Sequence, residues 1–372
     1  MAITEMYHTC YGKIRQLRPR ERITRVRNMA WLLAGLFVGQ CVHLSRVPSG
    51  RARKLSGQSQ KLSKVKMLSR LLDNRHIRVR PWYEPVARDL LTTAVNHGQT
   101  LRLLVDDSKV GHGHQLLMVA LAGALWARRR ALPIAWTWVK GKRGHSSAQK
   151  QCALLAYVHG LIPEGASVEI AGDSEFGAID VLRLLDQWRW GYALRQKSSH
   201  LICPTGLSTW KRCDTLVTRP GHSCWLDSLR LTQQFAYPTR FLALWQTGEA
   251  EPWLLATNLA AEQETRKLYR VRMWIEEMFA DFKGHGFDLE ASRLDHFVRL
   301  SRLTLAVALL YIWIVTFGSQ TIKNGNRRLV DRADRRDLSI FRIGLDMLER
   351  CLANQQPLSI CFSPYPHKLY GS

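Results

Sequence analysis

Four polar side chains in the run YRVRMWIEEMFADFK, residues 269–283, have the types and spacing to do chemistry together. On a helix each residue advances about 100°, so with Tyr269 at zero Arg272 falls at about −60°, Glu276 at about −20° and Lys283 at about −40°. One narrow stripe then carries a phenol, two cations and a carboxylate. Val271, Trp274, Ile275, Met278, Phe279 and Phe282 gather on an apolar face roughly opposite it. A carboxylate among cations suits a site that must hold both a metal ion and a phosphate backbone. The neighbouring acid, Glu277, falls at about 80°, off the stripe.

Two further acidic positions stand at the ends of short apolar runs. LRLLVDDS, from Leu101, reads as a central strand that delivers Asp106 and Asp107, and SVEIAGDSEFG reads as a second strand that delivers Asp173. Alone, such acids are strand-end turn formers. Brought together they repel unless a cation lies between them, and oxygen ligands select magnesium or manganese. The elements that must position them follow in order. Strands at 101–108, 116–125 and 131–139 form an antiparallel meander, with Arg128, Arg129 and Arg130 at its second turn. A helix at 146–160, a strand at 168–171, a helix at 178–187 and a strand at 190–195 come next.

With Tyr269, Arg272, Glu276 and Lys283 at the YREK spacing, and Trp274, Ile275 and Phe279 around them, the chain resembles the IS-four family of bacterial insertion-sequence transposases. The resemblance implies an α/β fold: a ribonuclease-H-like mixed sheet in which the first and fourth strands lie side by side and parallel. It implies a catalytic and metal-holding triad of Asp106, Asp173 and Glu276 with two divalent ions, magnesium or manganese. Asp106 is selected over Asp107 because the family's first acid is followed by a variable residue and then Ser or Thr, as in Asp106, Asp107, Ser108. After Asp173 the family usually keeps a basic residue, whereas this chain has Ser174 and Glu175; Phe176 and Arg195 fit. A β-rich insertion precedes the last catalytic helix, and its final strand carries a Trp, here Trp253, with Trp245 the alternative. Tyr269, Arg272, Lys283 and Trp253 are the implied DNA-binding residues. The implied activity is that of a DNA transposase: binding element ends in double-stranded DNA, metal-dependent cleavage through a hairpin, 3′-hydroxyl transfer to target DNA, and a homodimer that pairs both ends.

Composition agrees with a polyanionic partner. The chain has 372 residues and a formal net charge of +24, spread along its length rather than concentrated in one amphipathic helix. One basic tract spans Arg15, Arg18, Arg20, Arg22, Arg25 and Arg27. A second holds Arg51, Arg53, Lys54, Lys61, Lys64, Lys66 and Arg70, and a C-terminal patch runs from Lys323 to Arg336. The eight cysteines form no CxxC pair, so free thiols and no structural zinc are expected. His112 and His114, in GHGH, are too local to make a metal site. The apolar runs 30–44 and 303–317 fall short of the roughly 18 to 20 residues that span a bilayer. With no apolar leader, a cytoplasmic, nucleoid-associated protein is expected. The domain reading is a helical, basic, end-binding region at 1–99, a first part of the core at 100–197, the insertion at 198–265, the catalytic Glu helix and a closing helix at 266–320, and a basic helical region at 321–372. Two other readings remain open at this point: a metal-dependent nuclease of the same fold, and a DNA-binding repressor without catalysis.

Overall fold

The computed structural model describes residues 2–44, 61–110, 113–123, 130–140 and 146–362. Arg51, Arg53, Lys54, His112, Arg128 and Arg129 lie outside the described residues, as does the end of the C-terminal region. Four helices come first, α1 (Ala2–Leu17), α2 (Ile23–Gly39), α3 (Lys61–Asp73) and α4 (Val79–Asn96). Strands β1 (Leu101–Val110), β2 (His114–Ala122) and β3 (Ala131–Lys140) then lead to α5 (Ala148–His159), β4 (Val168–Gly172), α6 (Ile179–Gln187) and β5 (Gly191–Arg195). Five more strands follow: β6 (Leu201–Pro204), β7 (Lys211–Arg212), β8 (Ser223–Leu231), β9 (Tyr237–Leu244) and β10 (Trp253–Thr257). The chain then returns to helices with α7 (Glu262–Arg270), α8 (Met273–Phe282), α9 (Phe297–Lys323) and α10 (Ile340–Ala353).

All the strands join one mixed sheet in the order β3-β2-β1-β4-β5-β10-β9-β8-β6-β7. Among the described residues only β1, β4 and β5 run parallel to one another, and most of their residues are buried, as in strands covered on both faces, although β1 also carries Arg102, Asp106, Asp107, Ser108 and Lys109. The expected pairing of the first and fourth strands is present, with Val105 opposite Gly172. Segment 198–265 holds the expected short strands, but they extend the same sheet: Leu255, Ala256 and Thr257 of β10 pair with Arg195, Leu194 and Ala193 of β5.

The chain's longest apolar helix is central to the core. At 27 residues α9 is longer than the apolar run that marks it, and it is long and apolar enough to cross a bilayer; its most apolar window is nevertheless 89% buried inside the protein. Helix α10 crosses it where both backbones are bare: a Cβ at Gly318 would stand 2.1 Å from the Ile340 carbonyl oxygen, and one at Gly344 would stand 2.0 Å from that of Ile314. Helices α2, α3 and α4 pack against α9 as well. Buried Arg302 fixes this contact, donating from Nη1 to the Leu72 carbonyl at 2.6 Å and from Nε to that of Ile77 at 2.9 Å. The N-terminal helices therefore share the core with the rest of the chain. All eight cysteines are free.

Candidate active site

Asp106 and Asp173 occupy equivalent places at neighbouring strand ends. The register puts Val105 of β1 beside Gly172 of β4, and each acid is the next residue. Gly172 makes this approach possible, since a Cβ there would meet Val105 Cγ1 at 2.7 Å and Leu194 Cδ2 at 3.0 Å. Asp173 leaves its strand at once: its carboxylate accepts from the Ser174 backbone N–H at 2.5 Å and caps the single 3-10 turn Ser174–Phe176. Because side chains alternate along a strand, Asp106 and Asp107 point to opposite faces of β1. Asp106 turns toward Arg272, and Asp107 accepts from Gln115 Nε2 at 2.9 Å.

Glu276 comes to the same cleft from α8. The cleft, about 450 Å³, is lined by Asp106, Asp107, Asp173, Arg272, Glu276 and Lys283 among others. Arg272 bridges two of the acids, with Nη1 3.4 Å from Asp106 Oδ2 and Nη2 2.7 Å from Glu276 Oε1. Glu277 faces elsewhere and pairs with Arg130 at 3.3 Å. Arg130 also holds the buried Asp281 at 2.9 Å, so two acids one turn apart fix the rotation of α8 with Glu276 on the cleft side. Lys283, the C-cap of α8, lines the cleft and pairs with Glu290 at 3.2 Å.

Residues 269–283 do not form the one helix that the spacing suggests. Helix α7 ends at Arg270 and α8 begins at Met273, joined by tight turns in which Arg272 N–H donates to the Tyr269 carbonyl and Ile275 N–H to that of Arg272, both at 3.1 Å. The angular wheel therefore fails across Val271 and Arg272. Tyr269 is not on an exposed stripe: it is 2% exposed. Its ring packs edge-on against Trp253 at 4.9 Å, and the Arg272 guanidinium stands 5.6 Å from it. Met273, just beyond the turn, is exposed. Tyr269 and Arg272 still adjoin, but through the turn rather than through helical periodicity.

The electrostatics are those of crowded acids. Burial pushes the Asp106 carboxyl up to about 7, against the opposing pull of Arg272, and Asp173 and Glu276 push it further. Burial and then a hydrogen bond with Glu175 push Asp107 up to about 9. Desolvation works against the Arg272 charge, but Tyr269, Asp106, Glu276 and Asp173 more than offset it and raise its pKa. Burial raises the Tyr269 phenol.

The donor set of Asp106, Asp173 and Glu276 is all carboxylate oxygen, which suits a hard divalent cation and neither zinc nor copper. Among the described residues no three His, Cys, Asp or Glu side chains already converge as a metal-ligand group; a guanidinium lies beside Asp106 instead. His114 meets the Asp295 carbonyl at 3.1 Å. No protein-family model matches the chain, and no curated protein matches it. Among solved structures, it is similar to a piggyBac transposase in a synaptic complex with hairpin DNA. The two are 13% identical, with 100% of this chain and 84% of that chain covered, at a TM-score of 0.44.

A wider groove of about 1140 Å³ shares Asp173 with the cleft and is lined by Arg195, Lys197, Arg212, Trp245 and Glu251 among others. Trp245 thus faces this groove, whereas the half-buried Trp253 packs on Tyr269. The sequence alone carries no signal for the Arg130 clamp on α8.

Proposed function

We propose that the chain is a DNA transposase with a ribonuclease-H-like core, cutting double-stranded DNA at element ends and joining the freed 3′-hydroxyl to target DNA. The observation that carries this reading is that Asp106 and Asp173, from adjacent parallel strand ends, line one cleft together with Glu276 from α8. The net charge of +24 supports a polyanionic substrate.

In this reading Asp106, Asp173 and Glu276 hold two magnesium or manganese ions, which when bound supply an activated oxygen nucleophile and neutralise charge on the phosphate under attack. The protein's own groups do the positioning. Arg272 exchanges a carboxylate partner for a phosphate as DNA enters, and its planar fork can grip two phosphate oxygens, whereas Lys283 acts as a point charge. Tyr269 brings its hydroxyl beside them, next to the Arg272 guanidinium. Trp253, against Tyr269, offers an aromatic face to a base displaced where the strand bends into a hairpin. A homodimer pairs the two ends.

The test is to incubate the full chain with magnesium, and separately with manganese, and linear DNA that ends in the repeats flanking its own reading frame. Joined products with the 3′-strand covalently in target DNA are expected. Cutting without joining would mark a nuclease of the same fold, and no cutting in either metal would contradict the reading.

A further inference from the structure

The loop between α9 and α10 is basic on its outside and stapled from within. Residues 323–337 hold six cations, Lys323, Arg327, Arg328, Arg332, Arg335 and Arg336, against three acids, Asp331, Asp334 and Asp337. Arg327 faces inward: its Nη1 donates to Asp331 Oδ2 at 3.0 Å and to the carbonyls of Arg332 and Arg335 at 2.6 and 2.8 Å. Asp331, whose side chain is 2% exposed, also accepts from the Arg332 backbone N–H at 2.9 Å. These two residues hold the shape of the loop, and Arg328, Arg332 and Arg335 are left exposed on it. Arg332 and Arg335 share Asp337, at 3.2 and 2.8 Å, with both guanidinium side chains about two-thirds exposed. Exposed pairs of this kind are weak in water, so a phosphate can replace Asp337 at little cost.

The place of the loop beside α8 decides what it could hold. On one flank of α8, Arg272 and Glu276 line the cleft with Asp106 and Asp173. On another flank, Met273, Trp274 and Glu277 line a recess of about 730 Å³ together with Arg336, Asp337, Leu338 and Ile340. The end of the loop therefore abuts the helix that carries Glu276, but outside the cleft. Joining one DNA to another brings two duplexes to a single set of acids. In the reading above, Arg272 and Lys283 are occupied by the strand being cut, so the second duplex needs basic surface of its own next to α8.

We propose that the loop at 326–337 binds the phosphate backbone of the target duplex through Arg328, Arg332 and Arg335. The inference rests on the transposase reading above. Guanidiniums held on a stapled loop can grip backbone phosphates without reading base edges, which suits a duplex of any sequence. Each phosphate neutralised releases counterions, so the loop's share of binding is measurable as a salt dependence.

The experiment uses the full chain and two DNA substrates. Binding to a duplex without repeats is followed by fluorescence anisotropy across a salt series, and pre-cut end DNA is joined in magnesium to a plasmid target. The triple variant Arg328→Ala, Arg332→Ala, Arg335→Ala is expected to lower the slope of log affinity against log salt by about 2 to 3 and joining by about tenfold or more, while cutting of intact ends stays within about twofold of wild type. The same three positions changed to Lys keep the charge and should restore most of the slope. A folded triple Ala variant with a normal slope or normal joining would overturn the target role. So would Lys variants that lose as much as Ala, or cutting that falls as far as joining, which would assign the loop to the element ends. If the triple Ala variant does not fold, Arg328→Ala alone decides: a slope lower by about one with slower joining supports the role, and no change in either overturns it. Wild type that neither cuts nor joins overturns the transposase reading and the target role with it; wild type that joins no better than the triple Ala variant overturns the loop alone.

Discussion

Arg272 Nη1 stands 3.4 Å from Asp106 Oδ2 in a nearly enclosed setting, so a fixed cation neutralises the most buried carboxylate of the site. Asp106 keeps a pKa of about 7 because burial outweighs that cation. The pair is therefore a charge balance whose strength depends on whether Asp106 is ionised. Removing Arg272 should cost little where Asp106 carries a proton and more where it does not. Thermal unfolding of Arg272→Ala in the presence of a chelator is expected to show a larger loss at about pH 8 than at about pH 5.5. Equal losses at both would mean that the guanidinium acts through packing alone.

The same carboxyl makes metal binding pH-dependent. A ligand must lose its proton, so below about pH 7 Mn²⁺ competes with a proton on Asp106 and affinity should rise by up to about tenfold per unit, flattening above. The stability of the chelated protein runs the other way. A carboxyl whose folded pKa is raised contributes stability below its unfolded pKa, and that contribution is lost as pH rises through about 7. Melting temperature with chelator should therefore fall across this window for Asp106, in addition to the effect of other groups. A Mn²⁺ affinity independent of pH between about 5 and 7 would remove Asp106 from the ligand set.

Arg130 and Asp281 form a buried ion pair, and breaking such a pair leaves a charge without its partner. Burial pushes Asp281 up to about 7 even with Arg130 beside it. Arg130→Met is expected to cost about 3 to 5 kcal/mol in denaturant unfolding, and Arg130→Met with Asp281→Leu to recover most of it. Additive losses in the double variant would contradict a coupled pair.

Gly172→Ala tests the spacing of the two strands. The added Cβ would stand 2.7 Å from Val105 Cγ1, and a β-branched side chain cannot swing away freely. A loss of about 1 to 3 kcal/mol is expected from such overpacking, along with slower DNA cleavage, and Val105→Ala in the same chain should restore part of both. Cleavage at the normal rate in a folded Gly172→Ala protein would mean that the separation of Asp106 and Asp173 is not critical.

Much of this architecture was legible in the residues. The strands carrying Asp106 and Asp173 stand out because both faces are covered and the apolar runs are short and sharply ended. α9 stands out because it is apolar all round. The break between α7 and α8 was not legible, since no Gly or Pro marks residues 268–275 and each would continue a helix. That break buries Tyr269, which the wheel placed on the polar stripe. The partners of Arg130 and Glu175 were hidden for a different reason: they come from elements distant in sequence, and only the packed sheet brings Asp281 or Ser146 within reach.

The central claim is that Glu276, not its neighbour, completes the acid set, and the two acids differ cleanly in their surroundings. Glu276 lines the cleft beside Arg272, while Glu277 pairs with Arg130. The most direct measurement is the rate of end-DNA cleavage in magnesium by Glu276→Gln and Glu277→Gln, each checked for fold and for end binding. The account predicts that Glu276→Gln loses cleavage by at least about a hundredfold with DNA binding intact, and that Glu277→Gln cuts within a few-fold of wild type. Cleavage retained by Glu276→Gln, or lost only in Glu277→Gln, would contradict it.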